Sequence, residues 1–316
     1  MSELDPARGG DGEDTYLTFL TEAQANRVRM LTRQAFAERG REVLVFGDHV
    51  RDDQGTQFGL WNVAVACKNE PRGEPAWPGV IAQHVQTITA TSDSNPFLGV
   101  SPDDIRSRTY VRLVPADQLP PERRKNYSYM RELAPGLLEA LALDLPDAVV
   151  TFGDQQVEQF GGLAALREAG LANLRALPVE QHERLDAPGG GHFELLLGES
   201  VYTASRVLVM PELVRQLFGP VDTRYGVLAA VAHRHQAALH VIRDQSVIPS
   251  INDMATFALV GYSDSAGSLS PNVYWWRDGT WRRISEVGAE GGIFVEAGED
   301  LLRVLEDVAS VKPDQD

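Results

Sequence analysis

The chain has 316 residues, of which 45 are acidic and 29 are Lys or Arg, so its formal net charge is −16. Hydrophobic residues make up 43% of the sequence, which excludes a chain that is disordered throughout. The single cysteine, Cys67, excludes an internal disulfide framework, and the negative charge argues against a broad nucleic-acid-binding surface.

The sequence has no run of 18 apolar residues, and its first residues lack the basic and apolar segments of a secretory signal. We therefore expect no membrane span and a cytoplasmic location. The acidic charge is concentrated at the two ends, because residues 1–14 carry a net charge of −4 and residues 286–316 a net charge of −7. We expect residues 1–14 to be a disordered acidic tail, and docking of that tail on a basic partner is the alternative.

The first half predicts an α+β subdomain over residues 15–115. Thr21 and Gln24 form a capping-box pattern at the start of a helix that ends near Arg39. The other predicted elements are a strand over 42–46, a buried helix (or a strand) over 58–67, a helix over 77–87, a long loop over 91–108 and a strand over 109–114. The polar connector over 115–126 is the predicted hinge between two subdomains.

The second half predicts another α+β subdomain over residues 127–311. Its predicted elements are an edge strand over 141–152, a helix over 163–177, strands over 193–197 and 201–210, a helix over 211–218, strands over 227–232 and 237–242, a helix over 249–261, a strand over 293–295 and a helix over 299–311. Asp278-Gly279 between alternating aromatic residues predicts a type I′ hairpin, because both central residues of that turn need positive φ. We predict an α+β fold with a mixed, mainly antiparallel sheet, helices on one face and two packed subdomains.

The histidine cluster His233-Arg234-His235 lies at the predicted tip between the strands over 227–232 and 237–242. A surface turn with two solvated histidines is the main interpretation. A metal site is one alternative, although no acidic residue follows before Asp244. A histidine that acts as a general base or contacts a ligand is another.

Trp275 and Trp276 are adjacent, so on a strand their side chains face opposite sides of the sheet. We expect one of them in the core. The other is either covered by a helix or exposed as an anchor for a partner.

Five other sequence motifs are explained better by a structural role than by catalysis or ligand binding. We therefore predict no cofactor and no bound metal. Gly261–Ser265 lacks the second glycine of a nucleophile elbow, and Gly189–Gly191 lacks the frame of a phosphate-binding loop. Cys67 is typical of a buried small hydrophobe. The remaining two are solvated features, namely the acidic pairs at 52–53 and 103–104 and the basic run at 123–125.

The order of segments from about residue 128 to 284 resembles the YtpQ-like family, a bacterial group of domains of unknown function. The residues that carry the resemblance are Leu145–Thr151, Leu163–Leu174, Val201–Arg206 with Leu208–Leu213, and Gly226–Ala232 joined through 233–236 to a second strand. The resemblance covers about half of the chain. It implies a fold type and a bacterial cytoplasmic setting, and it supplies no activity or catalytic residues.

The sequence leaves two functional hypotheses. The first is a non-catalytic protein that acts by protein–protein association or self-association, without nucleic acid or membrane. The second is a small-molecule-binding protein or an enzyme whose site is assembled around the His233–His235 hairpin, with Asp244 as a further candidate. Convergent His, Asp and Arg side chains in one deep pocket would favour the second, and a flat exposed patch around Trp275 or Trp276 would favour the first.

Overall fold

The computed structural model describes residues 12–53, 57–93, 97, 100–119, 124–145, 148–288 and 290–309. The chain forms two compact units, one within Met1–Leu98 with Asp264–Ala266 and one within Gly99–Ser263 with Gly267–Asp316. Among the described residues, no helix has both the length and the apolar character that crossing a membrane requires.

The first unit combines three helices with a small antiparallel sheet of order β1-β2-β3. Its elements are α1 (Glu22–Ala37), β1 (Val43–Val45), β2 (His49–Asp52), β3 (Gln57–Gly59), α2 (Trp61–Lys68), a 3-10 helix (Glu74–Ala76) and α3 (Trp77–Asp93). The capping box predicted at Thr21 is present, because its side chain accepts from the Gln24 N–H and the Gln24 side chain accepts from the Thr21 N–H. The three helices and the sheet pack around an apolar core that includes Val28, Phe36 and Ile81.

The second unit begins with α4 (Pro102–Arg108) and a four-stranded antiparallel sheet. Its strands are β4 (Thr109–Pro115), β5 (Arg131–Ala134), β6 (Leu137–Leu145) and β7 (Ala148–Thr151), and β6 pairs with the other three. A 3-10 helix (Ala116–Gln118) follows β4, and α5 (Asp154–Gln159) and α6 (Gly162–Ala176) follow β7. Gly170 lets α6 approach β4 closely, because a Cβ there would lie 2.7 Å from the backbone N of Val111.

A six-stranded antiparallel sheet of order β13-β12-β10-β11-β9-β8 forms the centre of the second unit. Its strands are β8 (Gln181–Asp186), β9 (His192–Leu197), β10 (Val227–Ala230), β11 (Gln236–Val241), β12 (Val273–Arg277) and β13 (Thr280–Arg283). The remaining elements are a 3-10 helix (Ala204–Val209), α7 (Met210–Phe218), α8 (Val247–Asp264), the strand pair β14 (Ser285–Val287) and β15 (Ile293–Val295), and α9 (Glu299–Ala309).

The predicted α+β class with mainly antiparallel pairing is confirmed. Apolar cores lie on both faces of the six-stranded sheet. One core contains α7 and residues of the four-stranded sheet, and the other contains α8 and α9. Helices therefore cover both faces of this sheet, whereas the sequence predicts them on one face.

Three predicted segments differ from the structure. In the segment 201–210, predicted as a strand, residues 201–209 form turns and the 3-10 helix, and Met210 begins α7. The predicted loop over 91–108 contains α4, which begins where the Ser101 side chain accepts from the Asp104 N–H and Pro102 occupies the first turn. The predicted edge strand over 141–152 contains the end of β6 and all of β7, and β6 lies inside the sheet with partners on both sides.

The predicted hinge over 115–126 lies within the second unit, because β4 pairs with β6 across that connector. Most of the predicted acidic tail, residues 1–11, lies outside the described residues. Asp14, at the end of that predicted tail, is instead buried in an ion pair with Arg29 at 2.7 Å. The prediction of a disordered segment is therefore wrong for Asp14.

Candidate functional site

The histidine cluster lies in a tight turn between β10 and β11. The Gln236 N–H donates to the His233 carbonyl at 3.1 Å, which closes a four-residue turn around Arg234 and His235. The predicted hairpin tip is therefore present. The side chains of His233, Arg234 and His235 are half-buried, which corrects the expectation of two solvated histidines.

His235 is a hydrogen-bond acceptor for the neighbouring arginine. The Nε of Arg234 donates to the Nε2 of His235 at 3.0 Å, and the Nδ1 of His235 lies 3.2 Å from the Gly198 carbonyl oxygen. Because a carbonyl oxygen only accepts, Nδ1 carries the proton and the ring is neutral. Burial, followed by the Arg234 charge, lowers the pKa of His235 below its usual value, so the acceptor persists at neutral pH.

His233 is also neutral at physiological pH. Burial lowers its pKa to about 4, and the neighbouring His235 adds to the shift. The rings of His233 and His235 lie 6.3 Å apart between centroids. Within the described part of the chain, no group of three or more His, Cys, Asp and Glu side chains is placed to hold a metal ion.

Arg234 is held by its backbone and by a glycine beneath its side chain. Its N–H donates to the Gly267 carbonyl at 3.0 Å, and its carbonyl accepts from the Ala204 N–H at 3.0 Å. A Cβ at Gly267 would lie 2.6 Å from Cδ of Arg234, and Gly267 has a φ of +75°. The stem of Arg234 therefore lies directly on a position that only glycine fills without strain.

Arg112 projects from β4, whose residues alternate between a buried and a half-buried face. Val111 and Leu113 lie on the buried face, while Arg112 and Tyr110 lie on the other. The residue opposite Arg112 on β6 is Ala140, and Ala142 is opposite Tyr110. These small neighbours leave space on the sheet for the two long side chains.

Two consecutive residues before α7 connect β4 to the histidine turn. The Leu113 N–H donates to Oγ of Ser205 at 3.0 Å, and the Ala204 N–H donates to the Arg234 carbonyl. The segments that carry Arg112 and Arg234 are therefore hydrogen-bonded to two consecutive residues of the chain. Burial lowers the pKa of Arg112, and the Arg234 charge lowers it further, as expected for two cations within electrostatic range.

Neither arginine has an acidic partner among the residues that the structure describes. Among the ion pairs of the described residues, none includes Arg112 or Arg234. Burial lowers the pKa of Arg234 as well. We call the pair Arg112 and Arg234 the two-arginine site.

Two tyrosines lie within electrostatic range of Arg112, and the hydroxyls of both are already bonded. The Tyr202 hydroxyl donates to Asp144 at 3.1 Å, and the Tyr202 ring stacks on Tyr110 with 4.2 Å between centroids. The Tyr129 hydroxyl donates to the Phe152 carbonyl at 2.8 Å and accepts from the backbone of β6. Burial raises the pKa of both Tyr129 and Tyr202, so both remain neutral.

Asp244 does not join the histidine turn, because it follows the far end of β11. The six residues of β11 separate the two ends by about 20 Å. Asp244 accepts from the Ser246 N–H at 2.8 Å, and its electrostatic partners are His192 and His240. The sequence hypothesis of one site with His233, His235 and Asp244 is therefore wrong for Asp244.

The two tryptophans lie on opposite faces of β12, as the sequence predicts, and neither is exposed. Trp275 is 3% exposed in the core that contains α8, and its indole N–H donates to the Tyr225 carbonyl at 2.9 Å. Trp276 is half-buried and packs against the opposite core. The structure therefore shows no exposed tryptophan at these two positions.

Sequence reasoning did not select Arg112 or Tyr202. An arginine between two apolar residues of a strand, as in TYVRLV, is a signal that could have drawn attention to Arg112. Tyr202 gave no such signal, since residues 201–210 were predicted to form a strand.

Comparisons with family models, with curated proteins and with solved structures found no match for this chain. The resemblance to the YtpQ-like family stays a prediction. The functional argument therefore rests on the geometry of the chain itself.

Proposed function

We propose that this protein binds a small anionic ligand at the two-arginine site. The observation that carries the proposal is the placement of two half-buried arginine residues on adjoining segments, with no acidic partner among the described residues. This is a form of the second hypothesis from the sequence, a small-molecule-binding site around the His233–His235 hairpin. We add Arg112 to that site.

Burial of a charge is unfavourable unless an opposite charge or hydrogen bonds compensate it. The buried arginine Arg29 illustrates the usual solution, since it pairs with Asp14 and also donates to the Gly47 carbonyl. Arg112 and Arg234 lack such a carboxylate. An anionic ligand would supply the compensating charge.

The hydrogen bonds around the site indicate the chemistry of the ligand group. His235, Tyr129 and Tyr202 use their polar atoms in bonds within the protein. The polar groups of these neighbouring residues that remain are guanidinium N–H donors and the Tyr110 hydroxyl, which can donate as well. A group that only accepts hydrogen bonds fits them best, and carboxylate and phosphate oxygens match the planar fork of arginine.

The association hypothesis loses its candidate anchors, because Trp275 and Trp276 are not exposed. Self-association through another surface stays a prediction. A cytoplasmic location is also part of the proposal, and the single cysteine of the chain supports it.

Calorimetric titration with sulfate and with succinate at low ionic strength tests the proposal. We expect both Arg112→Gln and Arg234→Gln to weaken binding about 10-fold to 100-fold, because hydrogen bonds to charged groups contribute about 1.5–3 kcal/mol. Arg303→Gln is the control, since the Arg303 side chain is 72% exposed on α9. Saturable binding that is unchanged by either site substitution, or no binding by the wild-type protein, would contradict the proposal.

A further inference from the structure

Resting on the proposed function, we infer that the two-arginine site selects ligands with two negative charges over otherwise similar ligands with one. The shared chemistry is a dianion that pairs one negative charge with each guanidinium group. A phosphate monoester and a short dicarboxylate are two sources of that chemistry.

The positions of both arginines are fixed by the fold. Arg112 is placed by the pairing of β4 with β6, where it lies opposite Ala140. Arg234 is placed by its backbone bonds to Gly267 and Ala204 and by its side-chain bond to His235. These contacts therefore fix the backbone positions from which both arginine side chains extend, and the bond to His235 also orients the side chain of Arg234.

The bond to His235 occupies the Nε of Arg234 and leaves its two terminal amino groups for a ligand. The guanidinium of Arg112 makes no hydrogen bond to any described residue. None of its N–H donors is therefore used by the described part of the chain, and all of them can bind a ligand. Two separate forks can bind two anionic oxygen pairs, or two edges of one tetrahedral group.

A ligand with one negative charge would neutralise one guanidinium and leave the other without a counter-charge. The protein contains a cluster in which a single carboxylate pairs with two arginines, namely Glu139 with Arg131 and Arg167. The Arg131 side chain there is 58% exposed, so water screens the remaining charge. Arg112 and Arg234 are half-buried and less well screened, which favours complete neutralisation by a dianion.

The experiment compares matched probes that differ by one charge. Succinate is compared with succinamate, which replaces one carboxylate by an amide, and methyl phosphate is compared with dimethyl phosphate. Titrations at pH 7.5 and constant ionic strength keep methyl phosphate mainly dianionic, since the second pKa of a phosphate monoester is near 6. We expect the dianion to bind at least 10-fold more tightly than its monoanionic partner in at least one pair, and the pair that shows this identifies the source.

Two variants test whether the selectivity arises from the arginine pair. Arg112→Gln and Arg234→Gln should each reduce the ratio of dianion to monoanion affinity to near 1, and circular dichroism checks that both variants fold. Equal affinities within both pairs for the wild-type protein would overturn the inference and leave the proposed function standing. A failure of all four probes and of sulfate to bind would instead overturn the proposed function. A ratio that is retained in both variants would also overturn the inference.

Discussion

Arg234 donates its Nε–H to Nε2 of His235 at 3.0 Å, while Nδ1 of the same ring faces the Gly198 carbonyl at 3.2 Å. The two bonds fix the neutral tautomer of His235 and the direction of the Arg234 side chain. His235 is therefore a positioning residue for the two-arginine site. In the proposed function, the cluster His233–His235 binds the ligand through Arg234, and His235 aligns the side chain of that arginine.

We expect His235→Ala to weaken sulfate binding about threefold to tenfold, because one hydrogen bond that orients Arg234 is lost. His235→Gln should restore most of the affinity, since its amide oxygen can accept from Arg234. Calorimetric titration measures both variants. Equal weakening by the alanine and glutamine variants would indicate a packing role instead.

Gly267→Ala should displace the Arg234 side chain. The added Cβ would lie 2.6 Å from Cδ and 2.7 Å from Nε of Arg234, and the residue would keep a positive φ. We expect a loss of about 1–2 kcal/mol in stability from the backbone conformation and, in addition, at least threefold weaker sulfate binding. Thermal unfolding and calorimetric titration measure the two effects separately.

Gly219→Ala is the matched control for that experiment. Gly219 has a φ of +70° and no atom within 4 Å of an added Cβ. It should also lose stability, because alanine is strained at positive φ, and it should keep its affinity for sulfate. If both alanine variants bind sulfate equally, the contact between Gly267 and Arg234 does not position the site.

In the first unit, we expect Arg29→Met to lower the free energy of unfolding by about 3–5 kcal/mol. The substitution would leave the buried carboxylate of Asp14 without its partner, and uncompensated buried charges are strongly destabilising. Burial alone would raise the pKa of Asp14, but the bonds from Arg29 and from the N–H groups of Leu17 and Tyr16 outweigh it and lower the pKa. Denaturant unfolding measures the loss.

Arg27→Met on the same helix is the control. The Arg27 side chain is 48% exposed and pairs with the exposed Glu74 at 3.8 Å, so its loss should change stability by about 0.5 kcal/mol or less. Similar losses in the two variants would mean that the ion pair between Asp14 and Arg29 has no special role.

Stability should decrease on acidification because of His240, which is 3% exposed. Its Nδ1 donates to the His192 carbonyl at 2.8 Å, and its buried Nε2 has no hydrogen-bond partner among the described residues. Burial, with a smaller effect of His192, lowers its pKa to about 4, whereas an unfolded histidine titrates near 6.5. Between these two pH values the unfolded chain binds a proton that the folded chain does not, so up to about 3 kcal/mol of stability is lost as the pH falls.

The variant His240→Asn isolates this contribution, because an amide N–H can still donate to the His192 carbonyl and does not titrate. We expect its stability to change less between pH 7 and pH 4.5 than that of the wild-type protein, by denaturant unfolding at each pH. His233, whose pKa is also about 4, should preserve part of the acid sensitivity. An unchanged pH dependence would rule out His240 as a major source.

Local chemistry made some elements predictable from the sequence. Asp278 and Gly279 have φ values of 48° and 79°, as the predicted type I′ turn requires, and Trp276 pairs with Trp281 across the hairpin. The strand β8 was not predicted, because its side chains are mostly exposed and polar. Its strand conformation depends on pairing with β9, which is a tertiary effect.

The site itself was only partly predictable. The turn at His233–His235 followed from two apolar segments separated by a polar tip. Arg112 and Arg234 are 122 positions apart in sequence, and the contacts through Ala204 and Ser205 connect their segments. Those contacts depend on residues 201–209 being turns and a 3-10 helix, and the sequence predicted a strand there.

The most direct test of the two-arginine site follows the arginine Nε–H signals by nuclear magnetic resonance during a sulfate titration. Comparison with Arg112→Gln and Arg234→Gln assigns the two signals. We predict that both signals shift together and saturate at the same sulfate concentration, while the signal of Arg303 does not saturate. Saturating shifts confined to other arginines, with the signals of Arg112 and Arg234 unchanged, would contradict this prediction.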